Sequence, residues 1–188
     1  MVLIEEITEG SSLKEEGNKL FAEKRFQEAI DKYSQGIEEL EFKDVDDTQQ
    51  TNDETSLLYN RGCAFFHLKQ FRECVADCSA ALRARPMYTK ALLRRALAHE
   101  QLDDIDAASS DMKSVVEQDS SLARTENVKR IEEKAAAKFE KDKVEMMSSL
   151  KELGNRFLGN FGMSTDDFKF EKDPETGSYS LKMAKTDP

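Results

Sequence analysis

A stretch of five residues, Leu58-Tyr59-Asn60-Arg61-Gly62, returns 34 positions later as Leu92-Leu93-Arg94-Arg95-Ala96. A recurrence at this interval narrows the architecture to stacked supersecondary units. The same phase continues downstream, pairing Cys74 with Ala108, Cys78 with Met112, Ala81 with Val115, and Phe71 with Ile105 in the turn between two helices. An earlier copy, Leu13, Gly17, Leu20, Phe26, Ala29 and Tyr33, precedes the second by 45 residues, the same interval plus an insertion of 11. Each unit holds two amphipathic stretches of about a dozen residues with the period of a helix. Such a pair buries its apolar face only by stacking on its neighbour. The expected fold is therefore all-α, three helix-turn-helix repeats in a short superhelix.

The small residues of the pattern serve packing. Gly17, Gly62 and Ala96 let the first helix of each pair approach the second, and Ala29, Cys74 and Ala108 do the same from the other side. A larger side chain there forces the helices apart at about 1–3 kcal/mol. Pro86 closes the second unit and is the only proline before residue 174. A 34-residue helix-turn-helix with Gly or Ala in its first helix, a small residue 12 positions on and a closing proline resembles the tetratricopeptide repeat, here over Ser12–Ser120. The insertion, Glu38–Thr55, carries eight acidic residues against Lys43 alone and reads as a solvated inter-repeat loop or an extended helix end.

Beyond the repeats, Val128, Ile131, Ala135, Phe139, Met146, Leu150, Leu153 and Phe157 mark one stripe of a long helix. Its first part is expected to cap the third repeat and its later part to project away. Met146, Met147, Phe157 and Phe161 read as packing residues, with a partner groove as the alternative. After Gly162 the period changes: Phe168-Lys-Phe170 and Tyr179-Ser-Leu181-Lys-Met183 alternate around Asp173-Pro-Glu-Thr-Gly177, the pattern of a β-hairpin. An isolated hairpin is marginal. Its apolar face of Phe168, Phe170, Tyr179, Leu181 and Met183 therefore needs a cover, and the helix at Leu150–Phe161 is the nearest candidate. The expected organisation is a tail at 1–11, three repeats over 12–120 with the insertion at about 38–55, a capping helix over 121–161 and a hairpin tail over 162–188.

Charge narrows the partners. The net charge is -10, which disfavours nucleic acid and anionic membrane. No apolar run approaches the roughly 18 residues that span a bilayer. The start, Met1-Val-Leu-Ile-Glu5-Glu6, is acidic where a signal peptide is basic, and three cysteines outside any disulfide pattern suit a reducing cytoplasmic setting.

Against this background one stretch stands out. Between Cys78 and His99 there is no acidic residue, yet Arg83, Arg85, Lys90, Arg94 and Arg95 are basic. Lys90 and Arg94 are four apart and share a helix face, as do Lys14 and Asn18 on the first helix, while Asn60 holds the repeat phase of Arg94. This set suits a peptide ending in aspartate, which presents two carboxylates to a Lys point charge, an Arg fork and Asn amides. Lys14, Asn18, Asn60, Lys90 and Arg94 resemble, position by position, the carboxylate clamp of chaperone-binding tetratricopeptide domains. That resemblance implies capture of the C-terminal EEVD of heat-shock protein 70 and heat-shock protein 90 chaperones. The tail, from Leu150-Lys-Glu-Leu-Gly-Asn155 through Phe161-Gly-Met-Ser-Thr-Asp-Asp-Phe168 to Thr176-Gly-Ser-Tyr-Ser-Leu181, resembles the tetratricopeptide repeat protein 1 family. It implies a cytosolic chaperone adaptor with links to small-GTPase signalling. The alternative reading is a signalling scaffold that binds a folded partner through the C-terminal helix and hairpin.

Other chemistry has less behind it. Cys63-x-x-x-His67 and Cys74-x-x-x-Cys78 offer four zinc-ligand types on neighbouring helices, but Cys74 and Cys78 already serve as small packing residues. His99 takes the repeat phase of Leu20 and Phe65, a packing position. No glycine-rich phosphate loop, nucleophile elbow or Ser/His/Asp set is present, so neither an enzyme nor a cofactor is expected.

Overall fold

A computed structural model describes residues 13–41, 47–172 and 179–183. Residues 13–22 form the helix α1. It is followed by α2 (Phe26–Glu41), α3 (Asp47–His67), α4 (Phe71–Ala84), α5 (Thr89–Gln101), α6 (Ile105–Gln118) and α7 (Glu126–Gly159). Two strands, β1 (Phe168–Lys172) and β2 (Tyr179–Met183), pair antiparallel with Phe168 opposite Met183 and Lys172 opposite Tyr179. The expected all-α array with a small C-terminal hairpin is thus what the chain adopts. The tail at 1–11 and the hairpin turn at 173–177 lie outside the described residues.

From α2 to α6 each helix packs on the next, and α3 also reaches α5. The core they share holds Ala29, Tyr33, Leu58, Ala81, Leu92 and Val115, all at the periodic positions of the repeat, and Leu57 beside them. A second cluster joins Ala96, Ala108 and Met112 to Val128 and Ile131, so the first turns of α7 close the last helix pair. Glu100 locks this closure. Its nearly inaccessible carboxylate accepts from Arg130 Nε and Nη2, each at 2.8 Å, and from Lys134 Nζ at 2.7 Å. These two cations, Arg130 above all, hold the Glu100 carboxyl down at about 2.

The turn inside each helix pair repeats to the residue. Lys24, Lys69 and Asp103 take φ values of 62°, 60° and 61°. The amides that follow them, of Arg25, Gln70 and Asp104, donate to Leu20, Phe65 and His99 carbonyls, each at 2.9 Å. This is a helix end closed by one left-handed residue, a position that favours glycine or asparagine. Two lysines and an aspartate occupy it here, so composition gave no sign of it.

Only one of the two repeat glycines is closed to a side chain. A Cβ at Gly17 would stand 2.4 Å from Tyr33 Cε1, whereas one at Gly62 would meet nothing nearer than Cys78 Sγ at 3.3 Å. A repeated latch reinforces the packing. Arg61 grips Asp77 with Nε and Nη2, both at 2.8 Å, and Ser34 Oγ with Nη1 at 3.0 Å. Arg95 does the same to Asp111, at 2.8 and 2.7 Å, and to Ser79 at 3.0 Å.

Two expectations need correction, and one alternative is decided. Of the two readings of the acidic insertion, the described residues take the helical one: 38–41 belong to α2 and 47–55 to α3. No glycine or proline interrupts that stretch, Thr55 is buried, Asp53 finds Lys14 on α1, and Asn52 finds Arg85 just past the end of α4. The chain divides between Ala135 and Ala136 into two compact units. In the second, Met146, Met147, Phe157 and Phe161, read as packing residues, are open, as are Phe139, Leu150 and Leu153: the seven keep 55–66% of their surface exposed. Nor does the helix cover Leu181 and Met183 of the hairpin, which are equally open, while Phe168 is half-buried. The helix meets residues 164–166 through a polar face instead. Lys151 Nζ lies 2.7 Å from Asp166 Oδ1, and Asn155 Oδ1 accepts from the Thr165 amide and hydroxyl at 2.6 and 2.8 Å.

Candidate functional site

The five polar residues singled out by the sequence sit on the first helices of the three pairs: Lys14 and Asn18 on α1, Asn60 on α3, Lys90 and Arg94 on α5. Asn18 and Asn60 are brought into contact. Asn60 Nδ2 donates to Asn18 Oδ1 at 3.0 Å, and the hydroxyl of Tyr33, buried in α2, donates to the same oxygen at 2.8 Å. With its acceptor doubly engaged, the exposed Asn18 keeps its Nδ2 donor for a ligand.

Arg94 lies over an aromatic surface, its guanidinium carbon 4.8 Å from the centre of the Phe66 ring. A ring face holds a guanidinium plane in place without consuming its donors. Beside it, burial pushes the Cys63 thiol up against the opposing pull of Arg94, so Cys63 stays a neutral packing group. Lys90 is exposed in the first turn of α5, where a cation gains nothing from the helix dipole. Lys14 is engaged: its Nζ lies 3.1 Å from Asp53 Oδ1, a carboxylate supplied by the helical part of the acidic insertion.

The run of five basic residues between Cys78 and His99 thins out in space. Arg95 is held by Asp111, and Arg85 by Asn52 and by Tyr88, whose ring centre is 5.6 Å away. Lys90 and Arg94 remain as the cations of α5 that no described carboxylate holds. Tyr33 and Asp53 are the site residues that sequence reasoning missed. Tyr33 was read only as core, and Asp53 only as one charge among eight in the insertion.

The zinc-type residues do other work. Cys63, Cys74 and Cys78 are buried free thiols, and His67 stacks on Phe26 with ring centres 4.6 Å apart and planes within 5°. Among the described residues no three His, Cys, Asp or Glu side chains are grouped to hold a metal ion. None of the described helices is long and apolar enough to cross a membrane.

Against solved structures, the chain is 30% identical to the first TPR of Spaghetti (RPAP3) bound to the HSP90 peptide SRMEEVD, covering 69% of this chain and 94% of that one with a TM-score of 0.56. The chain belongs to the tetratricopeptide repeat family. No family model matches it. This tetratricopeptide protein is also 40% identical over 111 residues to sperm-associated antigen 1 of Mus musculus, covering 58% of this chain and 12% of that protein. It spans between 12% and 27% of the length of the curated relatives it matches. At 19% identity and a TM-score of 0.60, the Hsp90 co-chaperone Cns1 from Saccharomyces cerevisiae covers 95% of this chain, with 66% of Cns1 covered in return.

Proposed function

We propose that this chain is a non-enzymatic, cytoplasmic co-chaperone adaptor that holds peptides ending in Glu-Glu-Val-Asp by their terminal carboxylates. Lys14, Asn18, Asn60, Lys90 and Arg94 form the clamp, with the two asparagines fixing its centre and Lys90 and Arg94 supplying open positive charge. The observation that carries the reading is the Asn60–Asn18 contact, which joins the first helices of two repeats at the residues the clamp requires. The similarity to a domain bound to SRMEEVD supports the ligand class. The C-terminal segments around Leu150–Asn155 and Phe161–Phe168 support a finer placement in the tetratricopeptide repeat protein 1 branch.

The magnitude is that of a transient contact. Each charge-assisted hydrogen bond contributes about 1.5–3 kcal/mol. Four or five of them, less the ordering of a flexible tail, leave about 7–9 kcal/mol, a micromolar affinity. Calorimetric titration with SRMEEVD tests the reading, with a heat-shock protein 70 tail as a second arm. Binding is expected to weaken with salt and to fall sharply when the peptide is amidated. Lys90→Ala and Arg94→Ala are each expected to weaken it by about 1.5–3 kcal/mol. Equal affinity for free-acid and amidated peptide overturns the proposal.

A further inference from the structure

We propose that residues 139–157 of α7 form an antiparallel coiled coil with the same segment of a second copy of this chain. The observation is the open apolar stripe. Counted in heptads, Phe139, Lys143, Met146, Leu150, Leu153 and Phe157 fall in the two seam positions, and only Lys143 among these six is not apolar. Phe139, Met146, Leu150, Leu153 and Phe157 keep 55–66% of their surface exposed, and every residue from 139 to 153 is exposed. A helix whose apolar face is this open is half of an interface.

The area fits a second copy. The five open seam side chains with the flanking Met147 and Phe161 offer roughly 100 Å² each, or about 700 Å² in all, against about 800 Å² per partner in a stable interface. The stems of Lys143 and Arg156 extend the same strip.

Charge selects both self-association and the antiparallel direction. Residues 136–161 carry five basic and four acidic side chains in a chain of net charge -10, so two such segments approach without the repulsion the rest of the chain carries. In a parallel dimer Lys143 faces its own copy across the seam, two like charges in contact. The antiparallel register instead layers Phe139 on Phe157, Lys143 on Leu153 and Met146 on Leu150 of the other copy. It sets Asp142 beside Arg156 at both ends, Ser149 beside Ser149 at the dyad, and Met147 beside Met147 on the opposite flank. The seam layers are apolar apart from Lys143, whose stem lies on Leu153, and the charged flank pair, Asp142 with Arg156, is of opposite sign.

Sedimentation equilibrium of the full chain, from micromolar to submillimolar, tests this. The expected species is a dimer of twice 21.4 kDa. The pair Met146→Lys with Leu150→Lys is expected to give a monomer with unchanged far-ultraviolet helix signal of the repeats. Asp142→Arg or Arg156→Asp alone is expected to weaken the dimer about tenfold, each creating two like-charge contacts, and the two together to restore it. Oxidation is expected to cross-link Ser149→Cys and not Phe157→Cys, the wild-type thiols being buried. A monomer at all concentrations, a dimer indifferent to the lysine pair, or cross-linking at position 157 in place of 149 overturns the proposal. Peptide titration is a separate readout, so failure of the dimer leaves the clamp reading untouched.

Discussion

The Asn60 side chain reaches Asn18, 42 residues away in the sequence, through a 3.0 Å hydrogen bond that ties α3 to α1. Tyr33 completes the arrangement from α2 by donating to the same oxygen. A buried side chain therefore holds the centre of the proposed clamp. Tyr33→Phe is expected to keep the fold and weaken tail-peptide binding by about 0.5–1.5 kcal/mol, one hydrogen bond's worth of positioning. In an Asn18→Ala background the same change is expected to have no further effect on binding. Calorimetry on the double-mutant cycle checks this, and additive losses argue against a positioning role.

Asp53 pairs with Lys14, a residue of the proposed clamp. A bound carboxylate competes with it for the same ammonium. Asp53→Asn is expected to tighten the peptide by about two- to fivefold, the worth of a partly exposed ion pair. The gain is expected to vanish in Lys14→Ala, which peptide titration of both variants reads directly.

The two repeat glycines are expected to respond oppositely to alanine. At Gly17 the added methyl collides with the Tyr33 ring, 2.4 Å away, and overpacking costs about 1–3 kcal/mol. At Gly62 the nearest atom is at 3.3 Å, so the gain of about 1 kcal/mol in helix propensity prevails. Thermal melts of Gly17→Ala and Gly62→Ala are expected to shift down and up respectively.

Glu100 gives the repeat array an acid-sensitive closure. Its carboxyl is held at about 2 in the folded chain against an ordinary value of 4.5, chiefly by Arg130. A depressed carboxyl stabilises the fold above its unfolded value, and that contribution is lost as pH falls from 4.5 toward 2. The amount is roughly 2–3 kcal/mol. Urea melts at neutral and acid pH are expected to show this loss in the wild type and a smaller one in Arg130→Ala, in which Lys134 alone remains.

The sequence by itself determined the helix pairs, their order and the positions of the five polar residues. A repeat writes those into local spacing: an interval of 34, small residues in phase, and side chains four apart on one helix face. It did not determine who pairs with whom. Arg95 is one of five basic residues in an acid-free run, yet Asp111, 16 residues on, holds it, and Lys14 pairs with Asp53 because residues 47–55 are helical. Left-handed turns at Lys24, Lys69 and Asp103 carry no glycine to announce them, because the closing hydrogen bonds impose the conformation. Amphipathic spacing in α7 and a capping first part were legible, but only the tertiary structure showed where burial stops, after Ile131, leaving the apolar residues from Phe139 to Phe157 open. A periodic stripe states that a helix face needs a neighbour. Whether the same chain supplies one depends on which surfaces packing brings within reach, and spacing along a single helix does not encode that.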